Sequence, residues 1–138
     1  MQKTCGQLIY EIIKNMIEAG DTKLKSKRKT SYGININEVS ERTGLNQSAI
    51  YRLNQPKARI PKSEIISFVM GLQLNSGEAE ILMHANGMKL NINRPIDRAY
   101  IELMEKHTGR SIADCNAILR DLGVVTKNDE FLGSKERK

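Results

Sequence analysis

The sequence predicts an all-α protein of seven helices, and three observations predict it. Apolar residues recur at helical spacing in seven segments. Most of these segments open on Asn, Ser or Pro or close on Gly or Pro, the residues that cap and stop helices. No run alternates apolar and polar residues as a half-buried strand would, and no internal repeat is visible.

The first helix is expected over 7–19, with Leu8, Ile9, Ile12, Ile13, Met16 and Ile17 on one stripe and Gly20 as its stop. Residues 21–32 (DTKLKSKRKTSY) contain one large aliphatic, Leu24, and read as an exposed basic loop. Asn35 caps a short helix over 36–43 that ends at Gly44, and Asn46 caps a second over 47–54 that closes before Pro56. Between Pro56 and Pro61 lies a basic turn, KARI. Ser63 opens a strongly apolar helix with Ile65, Ile66, Phe68, Val69 and Leu72 inward. Residues 75–86 form the next helix, capped by Asn75 or Ser76 and stopped by Gly87. After a connector over 88–95, Pro95 suits the first turn of a helix running to about His107. Ser111 caps a last helix over 112–122 that stops at Gly123, and 126–138 reads as a charged, frayed tail. The apolar faces of 96–104 and 112–122 make a hairpin that must cover something, either the rest of the chain or a second copy.

Charge narrows the function classes. The chain carries 22 Lys/Arg against 16 Asp/Glu, a net of +6. Residues 21–62 alone hold 10 basic and 3 acidic side chains, so the whole excess sits in one third of the sequence. Such asymmetry suggests a polyanionic partner and suggests where it is met. Cys5 and Cys115 match no ligand spacing, so neither a disulfide scaffold nor a zinc module is expected. No apolar run approaches the roughly 20 residues needed to span a bilayer, and no signal peptide opens the chain, so a cytoplasmic location is expected. His84 and His107 have no carboxylate or cysteine cluster beside them, and neither a phosphate-binding glycine loop nor a nucleophile elbow is present. No enzyme, metal or cofactor is expected, and no membrane partner.

The informative stretch is 33–62, GININEVSERTGLNQSAIYRLNQPKARIPK. Two helices of about two turns are joined through a glycine-containing turn, the helix-turn-helix arrangement. Ser40 falls where the helices cross and only a small side chain fits. Gly44 supplies the positive φ of the turn, and Val39, Leu45, Ile50 and Leu53 are the buried side chains.

From Gly33 to about Gly87 the chain resembles the phage-repressor/Cro type of helix-turn-helix regulator, the xenobiotic-response-element family. The resemblance rests on the Asn-capped first helix, the small residue four before Gly44, the apolar Ile50 six after it and the basic loop that follows. The apolar helix and the acidic-start helix ending in Ala-Asn-Gly agree as well. The departure is 21–32, since the family passes from its first helix to the motif through a shorter link. The resemblance implies a five-helix, lambda-repressor-like DNA-binding domain over 1–87 (motif 35–54), a C-terminal helical hairpin over 88–125 and the charged tail over 126–138. It also implies that 47–54 is the recognition helix, entering the major groove by its N-terminal end.

Gln47, Ser48 and Arg52 are then the base readers, since Gln pairs with adenine and Arg with guanine through two hydrogen bonds each. Tyr51 lies beside that face, to touch a thymine methyl, sugar or phosphate, or to pack on the 57–61 turn. Phosphate contacts are expected from Asn35 and Asn46 at helix starts and from Gln55, Lys57, Arg59 and Lys62 after the recognition helix. Lys23, Lys25, Lys27, Arg28 and Lys29 form a candidate flexible arm. The implied partners are double-stranded DNA and a second copy of the chain, and the implied function is transcriptional regulation, with repression as the default. The alternative is an antitoxin or inhibitor-type protein-binding module that also binds DNA.

Overall fold

The computed structural model describes residues 3–27, 33–55 and 59–134, and they are all-helical, with seven α-helices and no strand. The helices are α1 (Cys5–Glu18), α2 (Ile36–Thr43), α3 (Gln47–Tyr51), α4 (Lys62–Gly71), α5 (Ser76–Ala85), α6 (Pro95–Lys106) and α7 (Ile112–Leu122). Three single 3₁₀ turns supplement them, at Thr22–Leu24, Arg52–Asn54 and Asn128–Glu130.

Local chemistry accounts for the helix starts. Thr4 and Gln7 form a reciprocal capping box, at 3.1 and 2.9 Å, which begins α1 at Cys5, two residues before the expected start. Asn35, Asn46, Asn75 and Ser111 each accept the backbone N–H three residues on, and so cap α2, α3, α5 and α7. Helix α4 begins at Lys62 and not Ser63. Pro61 takes its cap position without a side-chain bond.

Helix α4 organises the packing, because Ser63 through Met70 are all buried. Ile65, Phe68 and Val69 belong to a core shared with Ile9 and Ile13 of α1, Val39 of α2, Ile50 of α3 and Leu82 of α5. Ile66 and Met70 face a second core made with Tyr100 and Leu103 of α6, Cys115 and Leu119 of α7, and Leu132. The α6–α7 hairpin therefore seals the far side of α4 within this chain. Each fully buried aliphatic or aromatic side chain in these cores contributes about 1.5–3 kcal/mol.

Two asparagines fasten irregular segments to the cores. Asn86 accepts from the Ile60 N–H at 3.2 Å and donates to its carbonyl at 2.6 Å. Asn116 does the same for Leu132, at 2.8 and 2.9 Å. In each case a buried amide gives an apolar residue the pairing a neighbouring strand would give, so the segment goes below the surface without unmet backbone groups.

The segment after α1 differs from the expected exposed loop. Leu24 is fully buried, the Asn35 N–H donates to the Leu24 carbonyl at 2.7 Å, and Lys25 bridges to Ile34 in antiparallel fashion. The tail also differs, since 126–134 is folded and Leu132 lies in the second core.

Candidate nucleic-acid interface

Helices α2 and α3 are joined by a turn that three small polar contacts close. Gly44 has φ 71°, and its N–H donates to the Ser40 carbonyl at 2.9 Å. The Ser40 hydroxyl donates to the Leu45 carbonyl at 2.5 Å, and the buried Thr43 hydroxyl accepts from the Leu45 N–H at 3.3 Å. A Cβ at Gly44 would lie 3.1 Å from Ile112 of α7, so the turn is crowded as well as left-handed. Behind α3, Gly6 of α1 lies against Leu53 so closely that a Cβ there would collide with the Leu53 carbonyl. The unit is thus backed by α1, α4 and α7.

Helix α3 buries Ala49 and Ile50, and Leu53 follows them inward, leaving Asn46, Gln47, Ser48, Tyr51, Arg52, Asn54 and Gln55 exposed. The four base-reading candidates therefore share one outward face. Gln47 donates through its side-chain amide to Asn37 on the first turn of α2, so its position is set by both helices. Asn37 escaped the sequence reading, where nothing in the local pattern separates it from any exposed helix residue.

The α-helix ends sooner than expected. Arg52–Asn54 form a 3₁₀ turn, because Pro56 disfavours helical backbone at the preceding residue and the last turn tightens. Arg52 leaves this turn with its side chain 47% exposed and donates to Glu64 of α4 at 3.2 Å, whose side chain is 4% exposed. One edge of the guanidinium thus neutralises a buried carboxylate.

The phosphate candidates divide. Asn35 accepts from Glu38 at 3.2 Å and donates to the Lys23 carbonyl at 3.3 Å, so its amide is engaged on both sides. Asn46 caps α3, accepting from Ala49 at 3.0 Å. Gln55 is exposed, and Arg59, also exposed, reaches the Gly87 carbonyl at 3.5 Å. Lys62 is committed elsewhere: its ammonium sits 3.0 and 3.2 Å from the two oxygens of Asp97 on α6. Lys57 lies outside the described residues.

Lys23, Lys25 and Lys27 are exposed, but Lys23 and Lys25 are not on a free arm. Asn35, the Lys25–Ile34 bridge and a 3.2 Å bond from the Ser26 N–H to the Gly33 carbonyl hold 23–26 along the start of α2. Arg28 and Lys29 lie outside the described residues. Arg42 contributes no outward charge, since it holds Asp21 at 2.6 and 2.9 Å and Glu38 at 2.8 Å. Those bonds from Arg42 keep the Asp21 carboxyl below its ordinary range.

Elsewhere, a mostly apolar groove of about 1140 Å³ runs between α1, α5 and α6, lined by Leu8, Ile81, Met83, Met88, Leu90 and Met104 among others. None of its lining residues belongs to α2 or α3. No group of three or more His, Cys, Asp or Glu among the described residues could hold a metal ion. No described helix is long and apolar enough to cross a membrane. Compared with family models, curated proteins and solved structures, the chain matches none.

Proposed function

We propose that this chain is a sequence-specific, double-stranded DNA-binding regulator of transcription that acts as a repressor by occupying its operator. In this reading α1–α5 form a five-helix domain of the repressor/Cro type, α2–turn–α3 is its helix-turn-helix, and α3 enters the major groove. The observation that carries the reading is the single outward face shared by Gln47, Ser48, Tyr51 and Arg52, on a short helix whose opposite side is buried. Gln47 reads adenine and Arg52 reads guanine with the guanidinium edge that Glu64 does not use.

The cations at Lys23, Lys25, Lys27 and Arg59 give the phosphate attraction, each neutralised phosphate adding about 0.9 to the log–log salt slope. A helix this short reads only a few base pairs, so two copies on an inverted repeat are proposed as the operating form. The test is titration of one preferred duplex and a scrambled duplex by fluorescence anisotropy across salt concentrations. Gln47→Ala is expected to cost about 1–3 kcal/mol on the preferred site and almost nothing on the scrambled one. Equal losses on both duplexes would remove Gln47 from base reading.

A further inference from the structure

Residues 126–134 return from the end of α7 to the turn between α2 and α3, and the path is bonded at every stage. The Glu130 carboxylate accepts from the N–H groups of Thr126 and Lys127 at 2.7 and 3.0 Å, and the Tyr100 hydroxyl donates to the Glu130 carbonyl at 2.5 Å. Arg120 lies over the Phe131 ring, 5.4 Å from its centroid. Leu132 is fully buried, with both its backbone groups taken by Asn116. The Gly133 N–H donates to the buried Ser67 hydroxyl of α4 at 2.8 Å. Finally the Ser134 N–H donates to the Gly44 carbonyl at 2.7 Å, and the Ser134 hydroxyl accepts from the Asn46 N–H at 3.0 Å. Gly133 adopts φ 73°, and a Cβ there would lie 2.9 Å from the Gly44 carbonyl oxygen. Only glycine lets the two strands of backbone approach so closely.

We infer that residues 130–134 are a latch that positions the start of α3, so that base reading by Gln47 and Ser48 depends on the docked C-terminal segment. The inference rests on the DNA-binding reading above. Helix α3 has five residues, far short of the roughly 12–15 that give an isolated helix even marginal order. Its direction is therefore set from outside. The buried Ala49 and Ile50 press one side inward and Gln47 is tied to Asn37 of α2, while the backbone entering the helix needs its own constraint. Ser134 supplies that constraint by gripping Gly44 and Asn46, on both sides of Leu45 and three and one residues before Gln47. Ser134 is thus a positioning residue, since it acts on bases through α3. Because the latch is continuous with α6 and α7, the hairpin becomes part of the reading device as well as a cover for α4.

The test compares Ser134→Ala with Ser134→Thr in the full chain. The first removes the acceptor for the Asn46 N–H, and the second keeps it. Amide hydrogen exchange is measured first. In Ser134→Ala, exchange at Asn46 is expected to rise about fivefold, the worth of one hydrogen bond, with the cores unchanged and Ser134→Thr restoring the parent rate. The second readout is the ratio of affinities for a preferred and a scrambled duplex. It is expected to fall about fivefold in Ser134→Ala through weaker binding of the preferred duplex alone, a change that a general loss of stability does not produce. Unchanged exchange at Asn46 overturns the latch, and an unchanged affinity ratio overturns its positioning role. If the parent protein itself does not discriminate between duplexes, the DNA reading falls instead, and the exchange comparison decides the latch alone.

Discussion

Lys62 offers the sharpest contrast between a charge that faces a partner and a charge that holds the fold. Its side chain is 22% exposed, and its ammonium sits beside the two oxygens of Asp97, whose side chain is 1% exposed and has the Asn91 N–H, at 2.9 Å, as a further donor. Replacing Lys62 by Met keeps the apolar stem and removes only the charge. Asp97 then retains one backbone donor in a site that water barely reaches. Removing one partner of a fully buried pair costs about 3–5 kcal/mol. The remaining Asn91 bond and the partial exposure of Lys62 reduce this to about 2–3 kcal/mol, using the weaker worth of half-exposed pairs. In urea the unfolding midpoint should drop by about 1 M with the slope m unchanged.

Asp97→Asn in the same background should recover part of the loss, because a neutral amide needs no counter-charge. In DNA titrations the salt slope should stay as in the parent, whereas a phosphate-contacting lysine would take about 0.9 from it. Lys62→Met within about 0.5 kcal/mol of the parent, the range of an ordinary surface change, and with a flatter salt slope, would return Lys62 to the DNA-facing cations.

Other outcomes are equally definite. Arg52→Ala should cost about 1–3 kcal/mol on the preferred duplex and also lower stability by about 1–2 kcal/mol, because Glu64 loses its partner. Adding Glu64→Gln should restore the stability and leave the DNA deficit, as paired urea and anisotropy measurements would show. Asp21 is held below its ordinary value by the hydrogen bonds from Arg42. Burial pushes Glu130 upward, but the N–H groups of Thr126 and Lys127 outweigh it, leaving Glu130 low as well. Both contributions are complete above the ordinary carboxylate values of 3.8 and 4.5, and they are lost as pH falls through the lower folded values. Thermal scans should therefore show stability decreasing below about pH 4, less so in a Glu130→Gln variant, whose missing carboxylate no longer titrates. Burial pushes the Cys5 thiol up to about 12 and the Cys115 thiol up to about 11. Iodoacetamide at pH 8 should leave both unmodified until urea unfolds the chain, and rapid labelling of the native protein would show that these sites are open.

What the sequence discloses here is local, and what it hides is distant. The caps at Asn35, Asn46 and Ser111 and the left-handed stops at Gly44 and Gly123 act within four residues, so they are legible one segment at a time. The outward face of α3 follows from the same periodicity. The internal commitments of the charges do not, since Arg52–Glu64 and Lys62–Asp97 span 12 and 35 residues. A charge count treats those side chains as outward charge. One signal was present: Asp97 falls among Ile96, Ala99 and Tyr100 on the apolar face of α6, and a carboxylate there needs a cation. The latch is hidden more deeply. Ser134 meets the N–H of Asn46 across 88 residues, and only Phe131 and Leu132, two apolar residues in a charged tail, hint that it docks.

Selection from a random duplex pool at about 150 mM salt would decide whether α3 reads duplex sequence as proposed, since non-specific attraction weakens steeply with salt. The expected product is an enriched inverted repeat with half-sites roughly 10 base pairs apart, whose enrichment is lost with Gln47→Ala. A pool that emerges unenriched, from a protein whose DNA binding vanishes as salt rises, would remove sequence reading by α3 and leave only the attraction of a basic surface.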